Sequence, residues 1–142
     1  MIRLVPIVAA LVALAGCGQS EPEPPAAQVR LAAVPGRPAA GYFTLQIDGD
    51  RGALLSVTSP RAGRVEMHET MQHGNMSVMR PLARVPVQGG ETLVFAPGGR
   101  HLMIYDLDRT APAGGRIALI LRFERGDPVT LEAELVPTGG DI

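Results

Sequence analysis

The sequence predicts an all-β fold, an antiparallel β-sandwich of about eight short strands with Greek-key links. After residue 28 no stretch sustains the 3.6-residue periodicity of an amphipathic helix. The chain contains 17 glycines and 13 prolines, and beyond residue 28 they recur at intervals of roughly eight to twelve residues, which is typical of short strands joined by turns. Short runs between these breaks alternate apolar and polar residues, as half-buried strands do.

The predicted strands follow these breaks along the chain. In the first strand, Phe43, Leu45 and Ile47 alternate with more polar residues, and an Asp-Gly-Asp turn signal follows at 48–50. The other predicted strands are residues 53–58, 64–71, 76–80, 92–95, 101–105, 116–123 and 129–136. A four-residue loop, residues 72–75, is predicted to join the third and fourth of these strands into a hairpin.

The composition excludes several classes of protein. A length of 142 residues predicts one domain. The 13 basic residues and 14 acidic residues are scattered and give a net charge of -1, so the chain lacks the basic stripe of a nucleic-acid binder. A single cysteine cannot form an internal disulfide, a CxxC redox pair or a thiolate zinc site. The 46% hydrophobic content is too high for a disordered chain.

The N-terminal segment has the features of a secretory signal. Arg3 precedes an apolar run at residues 4–14, which is too short to span a membrane. The sequence Leu-Ala-Gly-Cys at 14–17 resembles the bacterial lipobox, in which cleavage precedes a cysteine that is then lipidated. The resemblance implies that Cys17 anchors the protein to the periplasmic side of a bacterial membrane. The alternative is an ordinary signal peptide with a cysteine nearby.

These features divide the chain into four predicted parts. Residues 1–16 form the lipoprotein signal peptide, and residues 17–27 form a Pro/Glu-rich tether that is stiff and extended. Residues 28–138 form the folded domain, and residues 139–142 form a short tail. The cysteine therefore lies outside the predicted domain, and the domain itself contains no thiol.

Histidine and methionine are concentrated in one part of the chain. All three histidines, and every methionine except Met1, lie between Met67 and Met103. Methionine usually fills gaps in a hydrophobic core, and Met67 is assigned to the core. The other members lie in the predicted hairpin or on a later strand: His68, Met71, His73, Met76, Met79, His101 and Met103.

The predicted hairpin register brings two of these residues together. With a four-residue loop, His68 falls directly opposite Met79, with Cβ atoms roughly 4.5–5.5 Å apart on one face. A change of one residue in loop length would break this pairing. On the later strand, His101 and Met103 share a face, because side chains alternate along a strand. Leu102 and Ile104 then face the core.

Two imidazoles and two thioethers form a donor set that suits copper. Thioethers select Cu(I), and imidazole also binds copper, whereas hard cations prefer oxygen ligands and structural zinc sites usually use thiolates. His73 and Met76, near the loop, are candidate auxiliary ligands, and Met71 is a weaker one. The predicted metal site therefore consists of His68, Met79, His101 and Met103.

The spacing His-x10-Met-x21-His-x-Met, formed by those four residues, resembles the signature of the periplasmic copper chaperones known as PCuAC-like proteins. Flanking segments at 41–44, 65–69, 79–81 and 97–103 extend the resemblance over roughly residues 28–136. It implies a cupredoxin-like sandwich that binds one Cu(I) through these four side chains. It also implies delivery of copper to the binuclear copper site of cytochrome c oxidase, often alongside Sco-type proteins. The C-terminal residues 136–142 lack the His/Met-rich tail of some family members.

The sequence leaves other functions open. A copper tolerance or storage lipoprotein would use the same site, and the sandwich could instead be a protein-interaction module that binds metal incidentally. No nucleophile–base pair has a recognisable spacing, so we expect no enzymatic activity. A blue-copper electron carrier is excluded, because it needs a cysteine ligand within the fold.

Overall fold

The computed structural model describes residues 26–108 and 110–139. The predicted signal peptide, Cys17, residues 17–25 of the tether and residues 140–142 lie outside this part. The described residues form ten strands: β1 (Ala27–Arg30), β2 (Ala39–Gln46), β3 (Ala53–Thr58), β4 (Arg64–His73), β5 (Met76–Pro81), β6 (Val85–Pro86), β7 (Thr92–Phe95), β8 (Arg100–Tyr105), β9 (Arg116–Phe123) and β10 (Val129–Val136). Residues 26–108 and 110–139 contain no helix that is long and apolar enough to cross a membrane.

The ten strands form one curled sheet. Their order is β5-β4-β8-β2-β1-β10-β9-β3-β6, and β7 pairs with the second half of β2. Strands β3 and β4, near opposite ends of this order, also contact each other, so the sheet folds over to enclose a core. The predicted all-β sandwich is confirmed. The strand pairs among the described residues are antiparallel, except that β1 runs parallel to β10 and places Val29 beside Leu135.

Most strand bounds agree with the sequence prediction. β3, β7, β9 and β10 have the predicted bounds. Two strands were not predicted, because β1 is short and β6 has only two residues. β1 begins at Ala27, the last residue of the predicted tether. Ala27 and Val29 are fully buried, so Ala27, which the sequence assigned to the tether, is part of the packed strand β1.

The core is built from alternating positions of the strands. In β9, Ile117, Leu119 and Leu121 are buried on one side. Leu102 and Ile104 of β8 are fully buried, which confirms that they face the core. Gly41 of β2 lies so close to β8 that a Cβ atom added there would be 2.9 Å from the Cβ of Leu102.

The turn between β4 and β5 differs from the predicted one. The four-residue loop at 72–75 is wrong, because His73 pairs directly with Met76 and only Gly74 and Asn75 remain in the turn. Gly74 has a φ of 60°, and Asn75 is not among the residues with positive φ. Glycine at the first central position is the requirement of a type II′ turn, whose twist matches the flanking strands.

This turn moves the register of the hairpin by two residues. His68 lies opposite Pro81, and Met79 lies opposite Thr70. The predicted direct opposition of His68 and Met79 is therefore wrong. A shift of two residues preserves the face of every side chain, however, because side chains alternate with a period of two. His68 and Met79 remain diagonal neighbours on one face.

Candidate metal centre

Three adjacent strands bring the four predicted ligands to one face of the sheet. β4 and β8 are paired so that His68 lies directly opposite His101 and Glu66 lies directly opposite Met103. The two imidazole rings have centroids 5.9 Å apart and are tilted by 32°. Met79 approaches from β5 on the other side of β4, diagonal to His68. The residues therefore form a compact cluster, which we call the four-residue site.

The four-residue site is covered at one end and open at the other. His101 is 6% exposed, and the side chain of His68 is 14% exposed. Met103 is half-buried, whereas Met79 is 56% exposed. The two imidazoles are thus largely buried, whereas the thioether of Met79 is directly accessible to solvent.

A carboxylate sets the proton position on His68. The Nε2 atom of His68 lies 2.9 Å from Oε2 of Glu66, and Arg64 Nε lies 2.7 Å from the other oxygen of Glu66. An ionised carboxylate only accepts hydrogen bonds, so Nε2–H is the donor. Nδ1 of His68 is buried and has no hydrogen-bond partner among the described residues. Its lone pair is therefore free to bind a metal ion.

A backbone carbonyl sets the proton position on His101. Nδ1 of His101 lies 3.1 Å from the carbonyl oxygen of Gly99, to which it donates. Nε2 is buried and has no hydrogen-bond partner among the described residues. Buried polar atoms nearly always have a partner, and metal-binding histidines commonly donate their other N–H to a carboxylate or a carbonyl. The arrangement of both rings fits a metal ion as the missing partner.

The charge on Glu66 supports this assignment. The hydrogen bond from His68 lowers the pKa of Glu66, and the nearby Arg64 lowers it further, while desolvation acts in the opposite direction. Glu66 is therefore ionised at neutral pH and remains an acceptor. It keeps the Nε2 atom of His68 protonated when the ring is neutral.

The donor chemistry favours a soft ion. Among residues 26–108 and 110–139, no group of three or more His, Cys, Asp or Glu side chains could hold a metal ion. The four-residue site instead combines two imidazole nitrogens with two thioether sulfurs, which suit Cu(I) rather than a hard cation.

The candidate auxiliary ligands lie elsewhere. His73 and Met76 face each other next to the turn and are both exposed. Their face of the hairpin is opposite to that of His68, because His73 is an odd number of residues away on the same strand. Five residues of strand also separate them from His68, a distance of roughly 16 Å. Met71 shares their face. The structure therefore does not bring these three residues to the four-residue site.

Sequence reasoning missed the residues that hold the imidazoles. Arg64, Glu66 and His68 occupy alternate positions of β4, so they share one face and form a continuous hydrogen-bonded row. The alternation of charged residues before His68 is a signal that could have identified Glu66. The role of Gly99 depends on its backbone carbonyl, and no side-chain pattern predicts it.

Comparison with protein families gives a match over most of the domain. Residues 25–135 match the family model described as "Putative lipoprotein LpqE-like". The chain belongs to the LpqE-like family. A relative described as "Putative lipoprotein Lxx21020", from Leifsonia xyli subsp. xyli (strain CTCB07), is 32% identical over 74 residues, which is 51% of this chain and 45% of the relative. The match thus spans less than half the length of that relative.

Solved structures show that this LpqE-like chain has the fold of PCuAC domains. The copper-bound PCuAC domain from PmoF2 has a TM-score of 0.63 at 21% identity, over 80% of this chain and 90% of that domain. The solution structure of CuI-DR1885 from Deinococcus radiodurans has a TM-score of 0.56 at 26% identity, over 80% of this chain and 76% of that protein. The fold implied by the sequence resemblance is therefore confirmed.

Proposed function

We propose that this protein is a carrier of Cu(I), which it binds as cargo through Nδ1 of His68, Nε2 of His101 and the thioethers of Met79 and Met103. The observation that carries the proposal is the pair of facing imidazoles, each with one buried ring nitrogen that lacks a hydrogen-bond partner among the described residues. The two thioethers lie on the same face as these nitrogens.

The chemistry of the donors supports Cu(I) over other ions. All four donors are neutral when bound, so they suit a monovalent ion, and the sulfur atoms favour a soft one. The names of two structural relatives, a copper-bound PCuAC domain and CuI-DR1885, state that those proteins hold copper. The relatives therefore support copper as the bound ion, and the geometry of this chain supports the four residues as its ligands.

The unequal exposure of the ligands supports transfer rather than storage. A carrier must admit a partner's ligand before its own ligands leave. Met79 is 56% exposed and belongs to β5, which pairs only with β4 in the described sheet. An incoming ligand can therefore replace Met79 first, while the two imidazoles and Met103 still hold the ion.

The proposed setting is the periplasmic side of a bacterial membrane, with Cys17 as the lipid anchor and a non-enzymatic role. The lipoprotein descriptions of the family and of the relative support the anchor. The proposed recipient is the copper-accepting subunit of cytochrome c oxidase, with Sco-type proteins as further partners. In a deletion strain, loss of oxidase assembly with normal copper tolerance would support delivery, and the reverse would support a tolerance or storage role.

An anaerobic Cu(I) titration against a chelator tests the ligand set. We expect one equivalent to bind tightly at the four-residue site. His101→Ala and Met103→Ala should each weaken this binding strongly, because each removes one of four donors. His73→Ala and Met76→Ala are matched controls that remove an imidazole and a thioether outside the four-residue site, and they should leave the affinity of this tight equivalent unchanged. Unchanged affinity in both site variants would exclude the assignment. Retained partner binding after replacement of all four ligands would favour the protein-interaction module.

A further inference from the structure

Four histidines and methionines among the described residues have no role in the four-residue site. Met67 is 6% exposed and belongs to the core, and four other histidines and methionines form the site described above. The remaining residues are Met71, His73 and Met76, which we call the tip cluster. No hydrogen bond or ion pair of their side chains occurs among the described residues.

The tip cluster lies on a two-stranded ribbon that extends beyond the neighbouring strand. β8 pairs with β4 only as far as Glu69, which lies opposite Arg100. The rest of the ribbon consists of residues 70–73 paired with residues 76–79. The ribbon therefore carries side chains that β8 does not cover.

The register places all three donors on one face of this ribbon. His73 is directly opposite Met76, so their Cβ atoms are roughly 4.5–5.5 Å apart. Met71 is two residues before His73 and shares its face, with Cα atoms roughly 7 Å apart. Long, flexible thioethers can reach a common point beside the imidazole from these positions.

Packing in the core does not explain why these three positions hold methionine and histidine. Met76 is 67% exposed, His73 is exposed, and Met71 is half-buried. Val78, opposite Met71 on the same face, is 43% exposed. Polar residues would suit the solvent-exposed end of a hairpin at all three positions. The chain instead places two thioethers and an imidazole there, which form a second set of neutral, soft donors.

We propose that Met71, His73 and Met76 form a second, more exposed Cu(I) site at the end of the β4–β5 ribbon. Its members lie on the opposite face from His68, from roughly 10 Å (Met71) to roughly 16 Å (His73) away along the strand. Its three donors and high exposure make it weaker and faster to exchange than the four-residue site. This second site rests on the proposed carrier function and gives the chain a second, exposed position at which it can exchange Cu(I).

A titration followed through the methionine methyl groups tests this site. The purified protein is labelled with ¹³C at the methionine methyl groups, and Cu(I) is added without oxygen while each signal is followed by NMR. We expect the Met79 and Met103 signals to shift with the first equivalent and the Met71 and Met76 signals with the second. The signal of the core residue Met67 should stay unchanged and report that the fold is intact.

Variants separate the two sites. His73→Ala should abolish the second stage and leave the first, while Val78→Ala, on the same face without a donor atom, should leave both. His101→Ala combined with Met103→Ala should leave the shifts of Met71 and Met76. Saturation at one equivalent with these two signals stationary would overturn the second site but not the carrier function. Shifts of these two signals alone would retain the second site and contradict the four-residue site.

Discussion

The hydrogen bond between Glu66 and His68 makes a sharp prediction for copper affinity. Glu66→Ala removes the acceptor that lies 2.9 Å from Nε2 of His68. The ring then divides between its two neutral tautomers and is free to rotate about its side-chain bonds. Arg64 also loses the carboxylate oxygen that it contacts at 2.7 Å. The four proposed metal ligands themselves remain.

The size of the effect can be worked out from these changes. If half the rings adopt the wrong tautomer, the competent fraction falls to about one half and the Kd rises about twofold. Loss of ring orientation and of the negative charge beside the imidazole adds to this. Removing the hydrogen-bond partner of a metal ligand typically weakens metal binding about 10- to 100-fold. We expect Glu66→Ala to fall in that range, with most of the loss due to orientation and charge.

Two readouts distinguish this effect from general damage. Chelator competition should show a smaller loss for Glu66→Gln, because the amide oxygen still accepts a hydrogen bond although the charge is gone. Glu69→Ala is the control, since it removes a β4 carboxylate that accepts from Arg80 at 2.9 Å on the other face. In metal-free protein, at a pH at which the ring is neutral, imidazole ¹⁵N spectra should show the proton of His68 on Nε2 and none on Nδ1. Wild-type affinity in Glu66→Ala, or a proton on Nδ1 in the unaltered protein, would refute the reasoning.

Three further predictions concern packing and charge. Gly41→Ala places a Cβ 2.9 Å from that of Leu102, so it should displace β8. We expect the free energy of unfolding in denaturant to fall by about 1–3 kcal/mol and Cu(I) binding to weaken. Wild-type stability together with wild-type Cu(I) affinity would contradict the close packing. Leu119→Ala leaves a cavity at a fully buried position, so the free energy of unfolding should fall by about 2–5 kcal/mol. The Cu(I) affinity should stay unchanged, because Leu119 packs in the core and lies outside the four-residue site. The hydrogen bond from Arg125 lowers the pKa of Asp50 below 3.8, so the pair should stabilise the fold above this pH and stop doing so as the pH falls through the lowered value. Asp50→Asn should therefore reduce the acid dependence of unfolding, and an unchanged pH profile would argue against the pair.

Much of the fold could be predicted because local signals agree with the tertiary structure. Alternation of apolar residues and regular turn signals located eight of the ten strands. β1 could not be predicted, because four residues that follow a Pro/Glu-rich segment give no periodicity of their own. Its burial depends on pairing with β2 on one side and β10 on the other, which are distant in sequence. The parallel pair is therefore a tertiary effect.

The sequence predicted which face of the sheet carries the four proposed ligands, but not which of them lie opposite each other. The loop length was wrong by two residues, yet His68 and Met79 kept a common face because the error was even. An error of one residue would have put them on opposite faces. The pairing of His68 with His101 required knowing that β8 lies beside β4, which no local pattern in the sequence states. The tautomers of His68 and His101 could be assigned only from the positions of the ring nitrogens and of their hydrogen-bond acceptors.

The position of each ligand in the sheet assigns different roles to the two sides of the site. β8 lies between β4 and β2, so His101 and Met103 belong to a strand that is held on both sides. The buried residues Leu102 and Ile104 fix that strand to the core from the opposite face. Met79 lies on β5, which has a neighbour on only one side in the described sheet. An ion held by the proposed ligands would therefore keep its attachment to β8 when β5 moves, so we expect the proposed release to begin at Met79.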